Sequence, residues 1–498
     1  MKKQLSLILA ALLFALPACG EAAQTSAPAE TQAASQTADT AAVTEAETEE
    51  PEIIPDLPEM DFGGASFVVI SPVLTGDMAD ANTRDIKVEE ENGENLNDAV
   101  YRRNAFMLDT CNIVIDEYKS TDVSKDIKKS VSAGDNAFDV SYALTNAGGV
   151  DLSRKGFFLD YNTLPYIDFS QPWWDSNAMN SLGLMGKNYM AVNDIMLSND
   201  DATSAVLFNK KMLSDYGFDD DMYEVVESNN WTLDKVTEMS KSVYSDLNGD
   251  GIYDEYDRYG FMGYRDASLS MFHSSGGRVA VKDGEDSIRL TMMDEGSYSA
   301  LEASLTLMAQ DSTFNLHKVL EPKFLGDIYS HAEAMFRADQ SLFYWILIHD
   351  VQKFRDMESD FGILPVPSTN PEVSGYNCNV NWYHSHMMSV VTTADPERAG
   401  YVMELMAAKS HYTVRREYLN VCLARKYSRD NESEKMLDII FGHRVYDTGA
   451  YYALGSIAHN IIMLTMKNST DAASMFAKAE KSANKDIEKI FKDYSALE

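Results

Sequence analysis

An α/β fold is predicted, on three observations. From residue 65 onward, short apolar runs rich in β-branched residues alternate with helix-length polar segments, the pattern of strands and crossover helices. From Asp395 to the end the chain reads as mostly helical. The body, about 61–498, is too long for one ordinary core and suits two or three domains.

Taken in order, the chain opens with Lys2 and Lys3, an apolar run from Leu5 to Leu16, and then Leu16-Pro17-Ala18-Cys19-Gly20. A charged start, a short apolar core and a small-residue exit make residues 1–18 a secretory signal peptide. The run is well short of the roughly 20 residues that span a bilayer. Leu-x-Ala-Cys resembles the lipobox of bacterial lipoproteins, which implies lipidation of Cys19 and anchoring at the outer face of the cell membrane. Residues 19–60 follow as an acidic linker. No lysine, arginine or aromatic residue occurs between Gly20 and Met60, and Glu45, Glu47, Glu49, Glu50 and Glu52 crowd its end. Such a stretch buries too little apolar surface to offset its ordering entropy.

In the body, Ala65–Ile70 reads as a buried strand, followed by a helix with Asn97 as cap. Asn112–Ile115 is a second strand, Val123–Val131 a helix and Phe138–Tyr142 a third strand. The alternation implies a parallel sheet, with ligands expected beyond the strands' carboxyl ends, near Tyr142–Gly149. Tyr189–Val192 and Ser204–Phe208 are strand-like runs around polar Asn199-Asp200-Asp201. Helices near 232–245, 295–309 and 329–338 precede a strand at Ser341–Ile346. Phe361–Pro367 is extended, as its prolines require. Met388–Val391 is a short strand, and Asp395-Pro396-Glu397 opens a helix with Asp395 as cap and proline at the first position.

Composition narrows the function. The formal charge of −36 becomes −38 once Lys2 and Lys3 leave with the signal. A surface this acidic repels nucleic acid and anionic headgroups and favours a neutral or cationic small ligand. Cys111, Cys378 and Cys422 remain after Cys19; an odd count is no disulfide framework, and buried free thiols are expected.

The sharpest local motif is Asp246-Leu247-Asn248-Gly249-Asp250-Gly251-Ile252-Tyr253-Asp254-Glu255-Tyr256-Asp257. It matches an EF-hand loop: Asp246, Asn248 and Asp250 supply oxygens on alternate residues, Gly251 allows the turn, Ile252 offers its carbonyl, and Asp254 and Asp257 complete the set. Aspartate at the last position resembles the dockerin-type loop. The helix before the loop has no counterpart after it, so Ca2+ here is read as a structural clip, not a sensor.

The order of parts resembles the extracellular solute-binding proteins of ABC importers, of the large sugar-binding kind (family 1). Asn92–Asn104, Val206–Leu213, Trp231-Thr232-Leu233-Asp234, Ala334–Trp345 and Phe361–Pro367 each resemble a family segment, in the family's order. The resemblance implies a two-lobed periplasmic-binding-protein-like (type II) fold with discontinuous lobes, here 61–200 with 367–394 and 201–366 with 395–498. It implies a monomer that captures a small solute, a sugar or oligosaccharide, and delivers it to ABC permease subunits, without enzymatic activity. It also implies an aromatic at Trp345 lining the cleft.

Sugars present apolar ring faces and hydroxyl rims, so aromatic platforms and a few polar partners are sought. Trp173 and Trp174, in a polar loop, Trp382 and Tyr383 before a strand, and Tyr142 and Asn146 at the end of the third strand are the candidates beside Trp345. Trp231, opening a helix, reads as packing. His384 and His386 point to one face of a strand but lack a third metal ligand nearby. Two alternatives stay open: a calcium-dependent surface adhesion or scaffold protein, and a surface glycoside hydrolase, which would need paired carboxylates across the scissile bond.

Overall fold

A computed structural model describes residues 52–284, 286–323, 327–419 and 432–497. The signal peptide, Cys19, nearly all of the linker and Cys422 lie outside the described residues. The strands are β1 (Ala65–Pro72), β2 (Ile113–Ser120), β3 (Val140–Leu144), β4 (Ser204–Asn209), β5 (Tyr259–Gly263), β6 (Ala280–Lys282), β7 (Ile288–Leu290), β8 (Thr313–Asn315), β9 (Ser341–Leu347), β10 (Phe361–Leu364), β11 (Cys378–Asn379), β12 (His386–Val390) and β13 (Arg444–Val445).

Two main sheets organise the body. The first has the order β12-β3-β1-β2, with β1 parallel to both β2 and β3 and β12 antiparallel to β3. The second has the order β10-β4-β9-β5-β8: β9 and β5 are parallel, as are β5 and β8, while β4 runs antiparallel to its neighbours β9 and β10. The parallel alternation expected for the opening strands is present, and each sheet also carries antiparallel pairing where the chain crosses between lobes. β4 and β9 are buried along their whole length, which matches their uninterrupted apolar sequences.

Three connecting segments link the two sheets. The first crossing is the short helix Ser198–Asp201 leading into β4. The second runs from β10 to β12, and its Val380 pairs with Thr203 of the first. The third leaves helix Pro396–Ser410, and on its return β13 pairs with β11. Segments from several parts of the sequence therefore build each lobe. Helix Pro396–Ser410 packs with the first sheet, its Ala399, Val402, Met403 and Met406 sharing a core with Phe67, Val69 and Tyr142. Its sequence position had grouped it with the other lobe, but its apolar face matches the first sheet.

Local chemistry explains most boundaries. Asp395 accepts a hydrogen bond from the Arg398 amide and Pro396 starts the helix, as expected. The first long helix instead begins at Asn95 with Glu94 as its cap; the Glu94 carboxylate accepts from the Asn97 amide, so Asn97 lies inside the first turn and not at the cap. Tyr189–Val192 forms no strand, only an isolated bridge from Ala191 to Met388. Trp231 is fully buried, donating to the Pro365 carbonyl at 2.8 Å, a packing role as read. Cys111 and Cys378 are buried free thiols, and burial pushes the Cys378 thiol up to about 12. Among the described residues no helix is long and apolar enough to cross a membrane.

Candidate functional site

In parallel strands the carboxyl ends share one edge. β9 and β5 end together on the second sheet, and β1 ends in the turn Gly76–Ala81 on the first. Between them lies a cavity of about 450 Å³, within the size range of small-ligand sites. Its wall takes Gly76 and Met78 from the first lobe, Tyr264 to Asp266 after β5, Trp345 and Leu347 on β9, and His349, Asp350 and Lys353 in the turn after it. Tyr329 and Glu333 come from helix Ile328–Arg337, and Asn381, Tyr383 and His384 from the second crossing.

Aromatic rings set the shape of this wall. Tyr264 stands edge-on to Tyr329, Tyr344 and Trp345, with centroids 5.1–5.7 Å apart. Its hydroxyl lies 2.5 Å from that of Tyr344. Trp345 is 1% exposed and its indole N–H has no protein acceptor. Tyr383 stacks on Trp382 at 4.0 Å and reaches Nδ1 of His459 with its hydroxyl.

The ionised groups of the wall are largely paired with one another. Asp350 lies 3.1 Å from His349 and 3.0 Å from Lys353, which also reaches Glu333 at 3.1 Å. Arg265 lies 3.7 Å from Asp266. Burial opposes the charged form of His349, but Asp350 outweighs it and lifts the ring to about 9. Burial likewise disfavours the Asp350 carboxylate, yet His349 and Lys353 hold it below the usual range. Burial raises Asp266, with Arg265 opposing. The resulting cleft is polar but close to charge-balanced.

Of the residues singled out from sequence, Trp345 and Tyr383 line this cavity, and Trp382 supports Tyr383 from behind. The others stand elsewhere. Trp173 and Trp174 are enclosed in the core, and both indole N–H groups donate to the Glu404 carboxylate, at 3.1 and 2.9 Å. Their polar sequence context concealed this internal acceptor, which lies more than two hundred residues away. Tyr142 is fully buried, its hydroxyl donating to Asp85 and accepting from the Ser198 hydroxyl. Asn146 is exposed in the turn after β3, away from the cavity wall. The cavity wall is built instead from the segments that follow β1 and β5, from β9 and the turn after it, from helix Ile328–Arg337 and from the second crossing. Tyr264, His349 and Asp350 were not anticipated, although the apolar strand Ser341–Ile346 running into a polar His-Asp step was a usable signal.

Beside the cleft, buried carboxylates of the first crossing pair with cations from distant segments. Asp200 meets Arg444 at 2.5 Å and Arg415 at 3.2 Å. Asp201 meets Arg84 at 2.8 Å and the Tyr418 hydroxyl at 2.8 Å. Arg444 also pairs with Asp175 at 2.8 Å, and Asp194 with His411 at 2.5 Å.

The Asp246–Asp257 segment forms a closed loop, its ends joined by the Ser245–Arg258 bridge. Gly249 and Gly251 take left-handed backbone angles, φ 72° and 76°, which glycine alone adopts freely. The carboxylates serve the loop's own amides: Asp246 accepts from Gly249 and Gly251, Asp250 from Ile252, and buried Asp257 from Leu247 and Asp254. Each oxygen retains a second lone pair, but among the described residues no group of three or more His, Cys, Asp or Glu side chains is gathered closely enough to hold a metal.

No protein-family model matches the chain, and no curated protein is similar to it in sequence. Solved structures are similar in fold. The sugar-binding protein MalE from Xanthomonas citri aligns at 13% identity and TM-score 0.56, over 87% of this chain and 99% of that one. The chain has the fold of the two-lobed solute-binding proteins. An ABC substrate-binding protein from Listeria monocytogenes, solved with cycloalternan, aligns at 12% identity and TM-score 0.50, covering 86% of this chain and 99% of its own. A family 1 extracellular solute-binding protein from Bifidobacterium longum subsp. infantis aligns at 12% identity and TM-score 0.50, covering 87% and 99%. The ion pairs of Asp200 and Asp201 lie where the chain crosses between the two sheets.

Proposed function

We propose that this chain is an extracellular solute-binding protein that captures a small solute, a sugar or oligosaccharide, and delivers it to an ABC permease. It makes and breaks no bond. The observation that carries the reading is the cavity between the two sheets, walled by both lobes and the second crossing with aromatic rings and hydrogen-bonding groups. Mutual pairing of its charged groups favours a neutral, hydroxyl-rich solute over the cationic one that overall acidity left open. Neighbours named as sugar-binding, or solved with a sugar, support the same reading. A thermal-shift screen with mono- and oligosaccharides tests it, since a ligand that binds only the folded state raises its melting temperature. A peptide that shifts melting where no sugar does would refute the solute class.

Two further parts of the proposal rest on sequence. Cys19 carries a lipid that holds the protein at the outer face of the membrane, where tethering keeps its local concentration high near the permease; Cys19→Ala should release it into the medium. A calcium ion clips the Asp246–Asp257 loop, held by Asp246, Asn248, Asp250, the Ile252 carbonyl, Asp254 and Asp257. Spacing and the two left-handed glycines support this. A melting temperature unchanged by EDTA would count against it.

A further inference from the structure

We propose that His349 is the positioning residue that couples the cleft to the hinge, its ring bridging Asp350 on the cleft wall to the main-chain carbonyl of Asp201 in the first crossing. The inference rests on reading the cavity as a solute cleft. His349 follows directly on β9 and lines the cavity. Its Nε2 lies 3.1 Å from Asp350 Oδ1 and its Nδ1 3.4 Å from the Asp201 carbonyl oxygen. A carboxylate and a carbonyl are both acceptors, so the ring serves both only when both nitrogens carry protons. A neutral ring gives up one of the two contacts.

The other charged or titratable groups facing the ring are few. Lys353 shares Asp350, the Asp201 carboxylate is held by Arg84, and the His384 ring of the second crossing lies 6.0 Å away. The contact chain continues past the ring. Asp201 also accepts from Tyr418, beyond helix Pro396–Ser410, and the adjacent Asp200 takes Arg415 and Arg444. One side chain in the cleft wall thus touches the first crossing, faces the second and reaches the third through Asp201. Such a contiguous set of contacts is what energetic coupling between a site and a moving element requires. The charged ring is also the form favoured by its surroundings, with Asp350 overcoming burial.

Amide hydrogen exchange on the full mature protein tests this without any solute, so its failure is distinct from that of a solute screen. After correction for intrinsic chemical exchange, opening of residues 198–203 in the wild type should rise with pH toward about 9, by up to about tenfold per pH unit. His349→Gln should start from the loosened state and show no such dependence. Wild-type protection with a wild-type pH profile in His349→Gln would overturn the proposal. The NMR titration of the His349 imidazole in the unmodified protein decides the matter independently, should the variant fail to fold. A midpoint near 9 supports the bridge, and one at the ordinary histidine value overturns it.

Discussion

Arg444→Met removes the centre of the ion pairs at the crossings. Arg444 is one-tenth exposed and its guanidinium meets Asp200 at 2.5 Å and Asp175 at 2.8 Å, carboxylates that are themselves almost fully buried. Asp200 would keep Arg415 at 3.2 Å, and Asp175 would keep the Tyr446 hydroxyl and the Ala178 amide. Neither remaining set restores the lost charge. Breaking a buried pair by deleting one partner costs about 3–5 kcal/mol, because an uncompensated charge stays behind. An unfolding entropy of about 2.1 cal/mol/K per residue, over a body of roughly 450 residues, makes 1 kcal/mol worth about 1 °C. The melting temperature of Arg444→Met should therefore fall by about 3–5 °C by calorimetry. The control is Arg102→Met, whose partner Glu91 lies at 2.6 Å but whose side chain is 70% exposed; a pair in water contributes about 0–1 kcal/mol. Adding Asp200→Asn to Arg444→Met should recover part of the loss. Equal, small shifts for Arg444→Met and Arg102→Met would refute the reasoning that these buried charges hold the crossings together.

Other outcomes follow from the same contacts. Burial lifts the Glu404 carboxyl to about 7, against the lowering effect of the two tryptophan N–H donors. Its folded-state value exceeds the unfolded one, so its stabilising contribution is complete below about pH 4.5 and is lost as pH rises through about 7. That contribution is up to about 3 kcal/mol, and Glu404→Gln should flatten this part of a denaturation-versus-pH curve. Tyr383→Ala, at a partly exposed ring of the cleft wall, should weaken solute affinity by up to about tenfold by calorimetric titration, the scale of one aromatic contact. Its melting temperature should change little. Gly400→Ala should destabilise markedly, because a Cβ there would meet the Pro165 carbonyl oxygen at 2.0 Å; a soluble variant with unchanged melting would contradict that packing.

The strands were largely legible in the sequence, because buried strands write themselves as apolar runs. Ser204–Phe208 and Ser341–Ile346 differ from β4 and β9 by one residue each. Tyr189–Val192 is equally apolar yet forms no ladder, since only Ala191 finds a strand partner; burial alone wrote that pattern. The cavity wall was legible only in part. Trp345 could be chosen because the family resemblance implies an aromatic there, and Tyr383 because it follows Trp382 in a polar stretch just before a strand. Trp173 and Trp174 looked exposed because their acceptor, Glu404, comes from the far end of the chain. Asp200 and Asp201 read only as polar residues between two strand-like runs, because their partners Arg84, Arg415 and Arg444 stand more than a hundred residues away in the sequence. Long-range pairing of this kind leaves no local trace.

Under the proposed function, the cavity between the sheets takes up a solute and returns it unchanged. Calorimetric titration of the mature protein with a panel of neutral oligosaccharides, followed by chromatography of the recovered ligand, measures both halves at once. One solute should bind per chain, more weakly in Tyr383→Ala, and should be recovered intact after hours of incubation. Binding of no sugar, or recovery of cleaved products, would contradict that function.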